Sequence, residues 1–306
     1  MDMVFIVGLL ASGIRFAMPI LFAALGETVA QRAGVLNVGI EGVMLVGAFL
    51  AVYFAVQTGS PWGGLVAAIL GGTAMGLLHG FFAVRLKVDQ IVSGIALILL
   101  GLGISGFGFR LAFGQGGTGR VPGFQRIDFG PLSDIPVLGR LLFGHHALVY
   151  IGIAIAIALA VVLARTGVGL TIRAVGENPK AADAAGIDVD RIRMAACAFG
   201  GAMAGVGGAF LSTAQLAGFV ENMVSGRGFI AIACVVFARW NPLGALAIAL
   251  VFGIAEAGQI RFQALYPGVP FQFFAILPYV VALIGLVTAA RSAQLPAALG
   301  RPYRRD

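Results

Sequence analysis

Apolar runs of membrane-crossing length follow one another along the chain, separated mostly by short polar breaks. A spanning helix needs about 20 mainly apolar residues. On that measure spans fall near 3–25, 34–56, 62–84, 90–112, 147–165, 192–215, 226–238, 241–259 and 270–290. The seventh run is short, so the expectation is about nine crossings, with eight and ten as its bounds. The predicted fold is all-α: a polytopic transmembrane helix bundle in which residues 1–306 form a single domain.

Two breaks are longer than the rest. Residues 113–146 are rich in Gly and Pro and predict turns and short interfacial helices on the outer face. The GQGGTG within this stretch lacks the Lys-Ser/Thr ending of a phosphate loop. Residues 166–193 carry Arg173, Glu177, Lys180, Asp183, Asp188, Asp190, Arg191 and Arg193 in quick succession. Here Asn178 is placed to cap a short helix with Pro179 at its first position, Ala-rich sequence follows, and Gly186 suits a left-handed end. Ala181, Ala182 and Ala185 would give that helix a small face open to close approach by a neighbour. A plain solvated loop is the alternative.

Composition agrees with the pattern. Of 306 residues, 59% are hydrophobic and 11% charged, and the mean hydropathy of +0.99 lies far outside the soluble range. A net charge of +7 would suit nucleic acid, but the basic residues sit at the ends of apolar runs, which is a topology signal and not a binding face. With the 166–193 segment inside, most of the 20 Lys and Arg residues become cytoplasmic, among them Arg32, Arg85, Arg165, Arg291 and Arg305. Arg110, Arg120, Arg126, Arg140, Arg227 and Arg261 then fall outside. This sets the N-terminus outside and the C-terminus in the cytoplasm. The opening MDMVFIVGLLASG has no basic n-region, so the first apolar run is expected to remain as a helix. Cys197 and Cys234 lie in apolar sequence and read as small buried hydrophobes.

Polar groups inside the spans mark either interhelical bonds or an aqueous path. Asn37 and Glu41 are one helical turn apart in NVGIEG, which would put an amide and a carboxylate on one helix face. Two readings remain open there: contact with a solute, or an internal role such as pairing Glu41 with Arg15. Gln90 with Ser93, Gln215, and Glu256 with Gln259 are further candidates for a path, each with an ordinary helix-end or interhelical bond as its alternative. His79 stands alone on an apolar face and reads as a structural histidine. FGGAMAGVGGAF, residues 199–210, presents a nearly bare backbone face for close helix packing.

No GxxxxGK[ST] pattern, metal-ligand cluster or nucleophile–base set occurs in the sequence. The chain is therefore not expected to be an enzyme, and no cofactor or metal is implied. Its energy would come from a partner or an ion gradient.

RAVGENPKAADAAGIDVDRIR, residues 173–193, resembles the cytoplasmic coupling segment of ABC-importer permeases in the branch for simple sugars, nucleosides and branched-chain amino acids. GETVAQRAGVLNVGIEGVMLVGA, residues 26–48, is similar to the start of the nucleoside and simple-sugar permeases. The resemblance implies an inner-membrane permease working by alternating access, with a cytoplasmic ATP-binding subunit, a second, different permease chain, an external solute-binding protein and surrounding lipid as partners. It also assigns coupling to Gly176, Glu177, Asn178, Ala181, Ala182 and Gly186. An ion-coupled carrier or channel is the competing class; it favours central carboxylates and inverted repeats, neither of which stands out here.

Overall fold

The computed structural model describes residues 3–114, 117–132, 135–289 and 295–304. Arg291 and Arg305, used above for orientation, lie outside the described residues. Everything regular among the described residues is helical. The helices are α1 Met3–Arg32, α2 Ile40–Thr58, α3 Pro61–Gly80, α4 Gln90–Phe113, α5 Leu138–Leu142, α6 Ala147–Arg165, α7 Gly167–Glu177 and α8 Pro179–Ala184. They are followed by α9 Val189–Ala209, α10 Arg227–Phe237, α11 Pro242–Leu265, α12 Phe271–Ala275 and α13 Leu277–Ala289. π-helical turns extend α3 through Arg85 and α9 through Gln215.

Among the described residues seven helices are long and apolar enough to cross a membrane: α1, α2, α3, α4, α6, α9 and α11. The remaining two expected spans are occupied by shorter apolar helix, α10 and the broken pair α12–α13. Each of the nine apolar runs thus holds a helix, although two are below full spanning length among the described residues.

The centre of the bundle is α9, which packs on α3, α1 and α2. Its glycines explain why. A Cβ at Gly201 would collide with the Gly72 carbonyl of α3, and one at Gly205 with the Ala68 carbonyl. Backbone thus meets backbone along this crossing, the small-residue packing that helices use where no hydrophobic driving force exists between them. The 199–210 run is a packing surface, as expected.

The first two spans depart from the expected bounds. At 30 residues, α1 is about 45 Å long, well beyond a hydrocarbon core of about 30 Å. It runs to Arg32, Gly34 turns the chain at φ +90, and α2 starts only at Ile40. Between them, residues 33–39 are irregular backbone inside the protein. That is tolerable only if its polar groups find partners, and they do. Leu36 N donates to Gln90 Oε1 (2.8 Å), Asn37 N to Glu27 Oε1 (2.9 Å) and Gly39 N to Asn37 Oδ1 (2.9 Å). The Leu36 carbonyl meets His79 Nε2 at 3.0 Å, and the Ala33 carbonyl accepts from Arg193 Nε at 3.1 Å.

The connection before α6 contains α5 and docks on the end of α9 through Phe124 N donating to the Thr213 carbonyl, 3.0 Å. Burial, helped by nearby arginines, lowers the pKa of His145 and His146 there below the ordinary imidazole value.

Candidate functional site

The segment between α6 and α9 is more ordered than its polarity suggested. Thr166 caps α7 by accepting from Gly169 N (3.2 Å), Asn178 caps α8 by accepting from Ala181 N (3.0 Å), and Asp188 caps α9 by accepting from Arg191 N (3.0 Å). Pro179 opens α8, and Gly186 takes φ +83 after it. The capping signals were legible; α7, whose start is apolar with Val168 and Leu170 exposed, was not foreseen as a separate helix.

The six expected coupling residues divide into two groups. Glu177, Asn178, Ala181 and Gly186 are exposed. Ala182 is only 4% exposed and packs with Val175 and Val189. That corrects the expectation of one outward alanine face: Ala181 and Ala185 point out, whereas Ala182 supports α8 from beneath. Gly176 is also buried, and a Cβ there would run into the Arg32 carbonyl. It is the point where α7 crosses the end of α1.

The C-terminal residues strap this assembly down. Ala298 N donates to the Gly176 carbonyl (2.9 Å), Gly300 N to the Gly34 carbonyl (3.2 Å) and Tyr303 OH to Asp183 Oδ2 (3.0 Å). Arg193 Nη1 donates to the Arg301 carbonyl at 3.0 Å. Alongside lies a cavity of about 290 Å³ edged by Arg85, Lys87, Asp183, Asp188, Asp190 and Tyr303. Arg85 pairs with Asp190 at 3.6 Å, so the α3–α4 connection and the α8–α9 corner present one mixed-charge surface.

Within the bundle, three clusters of polar groups stand out. In the first, Gln31 bridges Glu27 Oε1 (3.0 Å) and Trp240 Nε1 (2.7 Å), joining α1 to the turn after α10. Sequence reasoning passed over Glu27, whose burial in an otherwise apolar helix is set by the loop it holds. The second joins His79 Nδ1 to Ser93 Oγ at 3.0 Å, with Gln90 beside them. His79 is thus structural, and Gln90 and Ser93 face the 33–39 loop.

The expected Asn37–Glu41 face does not form. Asn37 lies before α2 and closes its own turn, while Glu41 sits in the first turn of α2 and is buried. Its two oxygens accept from Gly226 N (2.7 Å) and Gly228 N (2.8 Å), so it holds the start of α10 and not Arg15. Arg15 instead donates to Ser12 Oγ at 3.2 Å. Helix α10 therefore begins inside the bundle, its partly positive N-terminus met by a carboxylate.

The third cluster centres on an ion pair between Arg227 and Glu256. With Ser225, Gln259 and Tyr279 it borders a cavity of about 320 Å³ between α10, α11 and α13, at the small end of the range for small-molecule sites. Arg227 Nε is buried without a partner. Arg227, expected on the outer side, and Glu256, expected near the outer end of its span, are brought together here; the pairing itself was not foreseen. Gln215 ends the π turn of α9, its Oε1 also buried without a partner, and belongs to none of these clusters.

Known proteins match this chain along its length. The family described as branched-chain amino acid transport system / permease component matches residues 9–289. A guanosine ABC transporter permease of Bacillus subtilis is 36% identical, covering 99% of this chain and 98% of that protein. A nucleoside ABC transporter permease of Lactococcus lactis is 34% identical over 96% of each chain. A putative glucose ABC transporter permease of Haloferax volcanii is 36% identical over 99% of each. No solved structure matches.

Proposed function

The chain belongs to the branched-chain amino acid transport permease family, and from that premise we propose that the solute it carries inward is a nucleoside or a simple sugar. It is a multi-pass permease subunit of an ABC importer in the cytoplasmic membrane. ATP hydrolysis lies in a partner subunit, and the importer also requires a solute-binding protein and a second permease. The observation that carries the solute class is the end-to-end similarity to guanosine and nucleoside permeases. We take the second permease to be a different chain, residues 1–306 to be one membrane domain of nine crossings, and the N-terminus to lie outside.

Coupling runs through the exposed Glu177, Asn178, Ala181 and Gly186, with Gly176 and Ala182 holding α7 and α8 in place. Closure of the ATPase partners presses on α8, and the strapped α1–α7–α9 joint passes that displacement to a bundle with two discrete arrangements. The solute path includes the cavity at Arg227 and Glu256. A carboxylate beside a guanidinium offers acceptors and donors together, which suits vicinal hydroxyls. Glu256 thus stays in the path. Glu41 positions α10, which borders it; Asn37, Gln90 and Ser93 hold the loop and helices on the other side of the bundle, and Gln215 offers its free acceptor near the outer end of α9.

The test is uptake by the complete importer in a host stripped of nucleoside and sugar transport. Saturable, ATP-dependent entry of labelled guanosine, adenosine or glucose is expected. Absence of all three, with the complex assembled in the membrane, would overturn the solute class.

A further inference from the structure

A cavity of about 470 Å³ lies where the end of α6 meets the start of α11, with α7 across its cytoplasmic side. Three guanidiniums from three helices border it: Arg32 of α1, Arg165 of α6 and Arg173 of α7. None forms an ion pair with a carboxylate among the described residues. Arg32 donates to the Trp240 carbonyl (3.2 Å) and the Arg239 carbonyl (3.4 Å), and Arg173 to the Gly169 carbonyl (3.4 Å). Arg32 and Arg173 repel one another, and Glu177 offsets this only from beyond ion-pair distance. Like charges drawn together without an anion leave donors that match a phosphate group.

The opposite wall decides what kind of phosphate fits. Ile157 and Val161 of α6 and Leu243 of α11 border the cavity and are 51%, 49% and 47% exposed. On membrane helices such side chains face acyl chains, so the cavity opens towards lipid while its arginines sit at one rim. Basic pockets between transmembrane helices on the cytoplasmic side are the usual form of an anionic headgroup site.

We propose that the cavity framed by Arg32, Arg165 and Arg173 binds the headgroup of one anionic phospholipid, with its chains along Ile157, Val161 and Leu243. The bound lipid neutralises the arginine cluster and ties α7, the first helix of the coupling segment, to α6 and α11. This holds whatever the transported solute is.

The full-length chain, purified in mild detergent and given equimolar dioleoyl phosphatidylglycerol and phosphatidylethanolamine, is examined by native mass spectrometry. One retained phosphatidylglycerol is expected. Arg165→Gln and Arg173→Gln should each lower its retention about fivefold, the Lys replacements should keep most of it, and Arg191→Gln, on the same face but away from the cavity, should change nothing. Equal retention of the two lipids, or undiminished phosphatidylglycerol on the Arg165→Gln/Arg173→Gln double variant, overturns the proposal. So does displacement by glycerol 3-phosphate at the same concentration, which would mark a soluble-anion site. If the double variant does not purify intact, Arg165→Gln alone, at the exposed end of α6, decides the matter in the same way.

Discussion

Glu41 shows how one buried carboxylate is spent on backbone. Its oxygens take two amide hydrogens at the head of α10, charge-assisted bonds each worth about 1.5–3 kcal/mol. Glu41→Gln keeps the size but offers one acceptor where there were two, and its amide then points a donor at another donor. We expect lower thermal stability of the purified chain and less protein in the membrane. Adding Arg15→Gln should not restore either, because Arg15 is bound to Ser12 and not to Glu41. Recovery in the double variant would revive the Glu41–Arg15 pairing. At Glu256 the expectation differs. Glu256→Gln leaves the part-buried Arg227 uncompensated, which costs stability as well as function, so the uptake measurement is made on Glu256→Gln with Arg227→Gln. Membrane abundance near that of the unaltered chain with uptake abolished is expected, and unimpaired uptake would remove this pair from the solute path.

Helix α8 is where element-scale reasoning from sequence succeeded and failed within six residues. Its cap, first-turn proline and terminal glycine are local signals that a single residue type carries, and all were legible. Which alanine faces the protein is decided by Val175 and Val189, distant in register and invisible to a helical-wheel argument of so short a helix. The same division runs through the bundle. The positions of the apolar runs follow from the thickness of a bilayer, whereas the 33–39 loop was read as helix because Glu27, Gln90 and His79, which satisfy its backbone, come from three other segments. The Arg227–Glu256 pair was not foreseen for a like reason: its two members lie 29 residues apart. Two substitutions separate the faces of α8. Ala181→Arg projects from the exposed side, so it should leave the chain folded in the membrane while abolishing solute-stimulated ATP hydrolysis. Ala182→Arg forces a charge among Val175 and Val189 and should lower membrane abundance first. The reverse assignment of these two phenotypes, by immunoblot and ATPase assay on the assembled importer, would turn α8 over.

At the scale of the whole molecule, charge and structure converge on one end. Arg32, Arg85, Arg193 and Arg301 are bonded into the neighbourhood of α7, α8 and the start of α9, whereas Arg110 pairs with Glu221 beyond the far end of α9. Such an asymmetry orients a membrane protein with the Arg-rich end in the cytoplasm. On the coupling role proposed for α8, that is also the side from which an ATP-binding subunit would reach it. The two requirements are independent, since one concerns insertion and the other energy supply, and a single experiment tests both. In a background with Cys197 and Cys234 replaced, a lone cysteine at Gly119, in the connection before α6, should react in intact cells with a membrane-impermeant maleimide. One at Ala181, exposed on α8, should react only after the membrane is opened. Both native cysteines are buried, so their replacement by Ala removes background labelling at little cost to packing. Labelling of Ala181→Cys from outside would place the coupling surface away from ATP. The orientation, the coupling role and the cytoplasmic placement of the arginine-lined cavity would then fall together, while the fold would stand unchanged.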